Sequence, residues 1–106
     1  MANSVVVHSV RTDFADAAAR DRYVDWLREG HCLAMVRHGG ALSAEVTVLD
    51  DGAVEARYLF ASRRDYELYR TGPAIEFDAE RELLFPAGSG VRTTTTLGTR
   101  AVRIPD

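Results

Sequence analysis

The tripeptide Asp50-Asp51-Gly52 constrains this chain most, because alternating runs flank it on both sides: Leu42 to Leu49 before, Ala53 to Phe60 after. Alternation at period two marks strands with one covered face, and an Asp-Gly turn between two such runs marks a hairpin. The side chains also fix the register. A two-residue turn would set Val46 against Arg57 and Val48 against Glu55. A three-residue loop over 50–52 pairs Val48 with Val54, Val46 with Ala56, Ala44 with Tyr58 and Leu42 with Phe60. It also sets Thr47 opposite Glu55 and Glu45 opposite Arg57. The second arrangement separates apolar from polar and gains an opposite-charge pair, so it is preferred. Gly52 then takes the left-handed position of the loop.

Around the hairpin the pattern reads strand–helix–strand–strand–helix–strand. Ser4 to Arg11 is the first strand, and its Val5-Val6-Val7 run suggests a central strand covered on both faces. Thr12 or Asp13 can cap the next helix, with Asp16 in its first turn. That helix is expected to run to Gly30, with Phe14, Ala18, Val24 and Leu27 inward and Tyr23 and Trp26 at the margins. One more short turn over 32–36 precedes the Gly39-Gly40 break. Ser62 caps a further helix, with Asp65 three residues on. Gly72-Pro73 ends it and starts another to Phe85, with Ile75, Ala79 and Leu83 on one side. Val91 to Val102 is the last strand. The order implies an α+β, ferredoxin-like sandwich: an antiparallel sheet with helices on one face. A single domain over residues 1–103 and a loose tail over 104–106 are expected.

Composition limits the function classes. The 106 residues suit one core, and 46% hydrophobic with 27% charged residues is an ordinary globular balance. A net charge of -3 argues against nucleic acid as a partner. All 13 basic side chains are Arg, so no lysine amine is available for Schiff-base chemistry. Cys32 is the single cysteine, which rules out an intramolecular disulfide. Met1 to Val10 lacks the basic segment of a signal peptide and the length of a membrane span. A cytoplasmic protein with no membrane partner is the expectation.

The element order, the size and the segment Tyr23-Val24-Asp25-Trp26-Leu27-Arg28-Glu29-Gly30-His31 resemble the dimeric α/β-barrel superfamily. Its members include small monooxygenases, polyketide cyclases and muconolactone isomerases. The closest resemblance is to an uncharacterised family of small bacterial proteins with Trp-x4-His at the end of the first helix. Trp26 and His31 match that pattern, and Gly39 or Gly40 matches its turn glycine. Cys32-Leu33 departs from the small apolar residue and proline that follow the histidine in several relatives. The resemblance implies a homodimer formed through the sheet faces. It also implies a pocket between sheet and first helix with monooxygenase-, cyclase- or isomerase-like chemistry. A non-catalytic dimerisation or regulatory module is the alternative.

On that reading His31 is the acid or base, since imidazole titrates near neutrality. Trp26 is an apolar wall, Arg57 an anion anchor, and Glu45 and Tyr58 further ligand contacts. The competing reading of His31 is a helix-end residue capping carbonyls. His8 either points into the barrel or is a core histidine satisfied by a backbone partner, the second being preferred; His38 reads as an exposed loop residue and Cys32 as a buried inert thiol. No metal site is expected, because these residues lack ligand spacing. No cofactor is expected either: Gly88-Ser89-Gly90 precedes a strand and lacks the helix and lysine of a phosphate cradle.

Overall fold

The computed structural model describes residues 4–105. Four antiparallel strands form one sheet in the order β2-β3-β1-β4: β1 Val6–Phe14, β2 Ser43–Val48, β3 Val54–Phe60 and β4 Val91–Thr99. The first crossover holds α1 Ala17–Trp26, a π-turn Leu27–His31 and α2 Cys32–Arg37. The second holds α3 Arg63–Thr71 and α4 Pro73–Leu84. This is the ferredoxin-like α+β fold.

The hairpin has the register its side chains require. Val48 faces Val54, Val46 faces Ala56, Ala44 faces Tyr58, and Glu45 faces Arg57. Leu42 lies just outside the strand and donates its N–H to the Leu59 carbonyl at 2.7 Å. Gly52 has φ +91°, the conformation the loop needs from glycine. Asp51 ties the loop down: it accepts from the Ala53 N–H at 3.0 Å and from Arg11 Nη2 on β1 at 2.7 Å.

The helix-covered face of the sheet carries the core. Val6, Val10, Val54, Ala56, Tyr58 and Phe60 are buried there, with Tyr23, Leu27, Met35 and Tyr69 packing down from the helices. On β2, Val48 is half exposed, because this strand is the edge and the helices do not reach its end. β1 is central, but only one of its faces is covered: Val7, Ser9 and Arg11 on the other are partly exposed.

Four local expectations are corrected. β1 starts at Val6 and runs three residues past Arg11 to Phe14, because alternation continues through buried Thr12, whose Oγ1 meets the Tyr23 hydroxyl at 3.3 Å. Asp16 is therefore the cap of α1, accepting from the Ala19 N–H at 2.7 Å. That shift makes Ala19, Tyr23 and Leu27 the buried stripe, while Phe14 stays on β1 and Ala18 faces out. Second, Gly30 ends nothing. Helical backbone continues through it to Arg37, and the Cys32 N–H bonds back to the Leu27 carbonyl, five residues earlier. Third, Ile75 and Leu83 on α4 are 65% and 81% exposed, and Ala79 is also exposed. Ala74, Phe77, Asp78, Arg81 and Phe85 are the covered or partly covered positions. Fourth, β4 ends at Thr99 rather than Val102. Residues 100–105 form no regular element, and residue 106 of the expected tail lies outside the described residues.

Ser62 caps α3 as expected, its Oγ accepting from the Asp65 N–H at 3.1 Å. Pro73 occupies the first turn of α4. Among the described residues no helix is long and apolar enough to cross a membrane.

Candidate functional site

A cavity of about 190 Å³ lies between the helices and the covered face of the sheet. β1 supplies His8 and Val10, β3 supplies Tyr58 and β4 supplies Thr95. From above come Tyr23, His31, Tyr66 and Tyr69, with Arg70, Phe77, Asp78 and Arg81 completing the wall.

His8 enters the cavity because strand alternation places it in phase with Val6 and Val10. It is 6% exposed, and its ring lies among Tyr58, Tyr66 and Tyr69, with centroids 5.4 to 6.1 Å away. Its Nδ1 is buried without a hydrogen-bond partner. The expected backbone partner is thus missing, and the core-histidine reading fails on that point.

His31 reaches the same cavity through the π-turn. Residues five apart on an α-helix are rotated by about 140° and cannot touch. The wider i→i+5 turn brings them to neighbouring positions. Trp26 and His31 accordingly stack, with centroids 4.2 Å apart and planes 14° from parallel. Phe77 and Tyr58 meet the imidazole edge-on at 5.4 and 6.2 Å. His31 lies inside a continuous helical stretch and caps no carbonyl. Its Nδ1 is also buried and unpartnered.

Burial pushes both imidazoles from 6.5 down to about 4. Arg81 lowers each further, Arg70 also lowers His8, and Asp78 acts in the opposite direction on both. Both rings are therefore neutral at pH 7, each with one N–H and one acceptor nitrogen. Burial pushes the Tyr58, Tyr69 and Tyr23 phenols up, so these stay protonated donors. It also raises the half-buried Cys32 thiol, which removes the basis for a nucleophilic role.

At the solvent side of the cavity stands an ionic group. Arg70 Nη1 donates to Asp78 Oδ2 at 3.2 Å, and Arg81 Nη2 donates to Asp78 Oδ1 at 3.5 Å. The first pair joins α3 to α4.

The structure brings His31 and Tyr58 together at this cavity. Trp26 stands behind His31 and lines an outer depression with Glu29, Gly30, Ala34, Glu76 and Glu80; His31 and Phe77 line both this depression and the cavity. Arg57 and Glu45 are on the opposite face of the sheet, in a depression with Ser43, Leu59, Arg100 and Arg103. They cannot share a ligand with His31 inside one chain. His38 is exposed at the end of α2. Sequence reasoning gave no site role to Tyr66, Tyr69, Arg70, Asp78 or Arg81, and preferred a core role for His8 over an inward-facing one. The period of β1 could have placed His8 inward. The α4 residues carried no such signal, because cavity-lining polar groups invert the apolar stripe. Among the described residues no group of three His, Cys, Asp or Glu side chains could hold a metal ion.

No sequence profile of a known protein family matches this chain, and no curated protein matches it in sequence. Solved structures do match its fold. The ActVA-Orf6 monooxygenase of Streptomyces coelicolor, solved with nanaomycin D, superposes with a TM-score of 0.73 at 22% identity, covering 98% of this chain and 95% of that one. A dimeric ferredoxin-like protein from an uncultured marine organism gives 0.72 at 13% identity, covering 94% and 90%. A point mutant of SnoaB, a cofactor-independent oxygenase from Streptomyces nogalater, gives 0.67 at 12% identity, covering 99% and 100%. The chain thus shares the ferredoxin-like fold of these proteins.

Proposed function

We propose that this chain binds a phenolic or quinol small molecule in the cavity and moves its hydroxyl proton through His31, with His8 as second hydrogen-bonding partner. The observation that carries this reading is the pair of buried imidazoles. Both line one aromatic-walled cavity, and both leave Nδ1 without a protein partner. Unpaired buried polar atoms are costly, and a fold that keeps two of them beside one cavity gives those rings a role other than packing.

The reaction class we favour is cofactor-independent oxygenation. A neutral imidazole accepts the phenol proton, and the phenolate formed beside it stabilises the imidazolium that burial alone disfavours. The resulting phenolate is electron-rich at ring carbon, and that carbon forms a bond to dioxygen. The peroxide takes the proton back, its O–O bond breaks, and water leaves with the hydrogen of the same carbon. Phenol plus dioxygen becomes quinone plus water, so atoms and electrons balance with dioxygen as the only oxidant. The two arginines at the cavity edge favour the phenolate. The fold shared with ActVA-Orf6 and SnoaB supports this class over cyclisation or isomerisation.

The same reading pairs two chains through the open sheet face. Val7, Leu59 and the polar groups Ser43, Glu45 and Arg57 are there, and the marine ferredoxin-like protein of this fold is dimeric. The test is oxygen uptake with a panel of quinols and polyphenols. Uptake by the wild-type chain, lost in His31→Ala at unchanged thermal stability, is the expected result. Binding without uptake across the panel would favour a non-catalytic binding module. Loss of stability alone in His31→Ala would make the histidine structural.

A further inference from the structure

We propose that the cavity selects a monoanionic hydroxyaryl ligand, whose carboxylate sits beside Asp78 between Arg70 and Arg81 while its ring lies among the histidines and tyrosines. This deepens the small-molecule reading above and rests on it.

The first argument is charge. Arg70, Asp78 and Arg81 are the charged side chains lining the cavity, and the two histidines beside them are neutral at pH 7. Two guanidiniums against one carboxylate leave one positive charge in excess. The group stands at the solvent side of the cavity with its side chains partly exposed, so its attraction for an anion is modest and sensitive to salt.

The second argument is geometry. Asp78 gives one oxygen to each arginine, through single contacts of 3.2 and 3.5 Å. Neither contact is the two-bond fork that a guanidinium makes with a carboxylate. Each arginine keeps donors free to turn inward. The Arg70 guanidinium already lies 5.9 Å from the Tyr69 ring centroid. A second carboxylate would complete a charge-balanced square of two arginines and two anions.

The third argument is size. An apolar cavity of about 150 Å³ accommodates benzene. At about 190 Å³ this one holds a single substituted ring. A larger aromatic system would leave its remaining rings at the open side. A ring with an adjacent hydroxyl and carboxylate fits both halves of the site.

Salicylate and phenol are the matched probes, since they differ by the carboxylate alone. Isothermal titration at pH 7 and low salt should show salicylate binding about tenfold tighter than phenol, or about 1.4 kcal/mol. Raising the salt should weaken salicylate and leave phenol unchanged. Asp78→Asn should widen the preference for salicylate over phenol several-fold. Arg81→Gln should remove the preference. Equal binding of the two probes to the wild-type chain overturns this proposal while leaving the cavity reading intact. A narrower preference in Asp78→Asn overturns it too. Binding of neither probe overturns both readings. The wild-type comparison requires no variant to fold.

Discussion

The two buried imidazoles make the stability of this protein depend on pH in a window set by histidine rather than by carboxylates. Both have a folded pKa of about 4 against 6.5 for the ordinary side chain. The folded value lies below the unfolded one, so on acidification the unfolded chain binds protons first. Stability is therefore full above pH 6.5 and is lost as pH falls from 6.5 towards 4. A shift of about 2.5 units corresponds to roughly 3.4 kcal/mol for each ring once the pH is below both values. Between pH 7 and pH 5 the share is about 1.8 kcal/mol each. The cavity opens to solvent, so we halve that figure for screening and expect a combined loss of about 2 kcal/mol. Urea denaturation at pH 7, 6 and 5 reads the loss directly, and a His8→Gln, His31→Gln double variant should flatten the slope. Proton NMR of the wild-type chain gives an independent reading, because neither ring should titrate between pH 8 and 5.5. An unchanged urea midpoint from pH 7 to 5, or two rings titrating near 6.5, would refute the reasoning.

Three further outcomes follow from local geometry. Gly30→Ala should stabilise the chain by up to about 1 kcal/mol in urea, since helical backbone runs through position 30 and an added Cβ meets nothing within 4 Å. Gly39→Ala should destabilise by about 1 to 3 kcal/mol in the same assay, because its Cβ would lie 2.7 Å from the Met35 carbonyl oxygen. Light scattering should give twice the chain mass at micromolar concentration, and Leu59→Arg on the open sheet face should return it to the monomer value with the circular dichroism spectrum kept.

The hairpin and the element order were legible because they rest on local signals. Asp-Gly chemistry, period-two alternation and one cross-strand charge pair are all short-range. The second half of the first crossover was not legible. Gly30 carries a helix-breaking propensity of about 1 kcal/mol, and tertiary packing of Leu27 and Met35 on either side overrides it. The site was legible only in part. Trp26 and His31 stand five apart, a spacing that means nothing on an α-helix and becomes a stacked pair only when the turn widens. Arg57 is an anion anchor in the sequence reading, yet strand parity puts it in phase with Glu55 and Leu59, away from Tyr58 and the cavity. Ile75, Ala79 and Leu83 formed the most obvious apolar stripe of α4 and point outward, because its inner side is given to Phe77, Asp78 and Arg81.

That inversion bears on what the fold stabilises and what it does not. A small domain has a total stability of about 5 to 15 kcal/mol. Leaving two imidazole nitrogens buried without partners costs about 1 to 3 kcal/mol each. Replacing them with Val or Leu would close the cavity and add apolar burial, on a sheet that already holds Val6, Val10 and Phe60 in contact. The chain also turns the polar residues of α4 inward and exposes Ile75 and Leu83, a second departure from the arrangement that maximises stability. Both departures converge on the same 190 Å³, while Val6, Val10, Val54 and Phe60 on either side of His8 pack as an ordinary apolar core. Local rules broken together at one place, with the surrounding packing obeying them, are the physical signature of a site. A cavity that was only a packing defect would show no reason to gather both unpartnered imidazoles, four tyrosines and an unbalanced arginine pair.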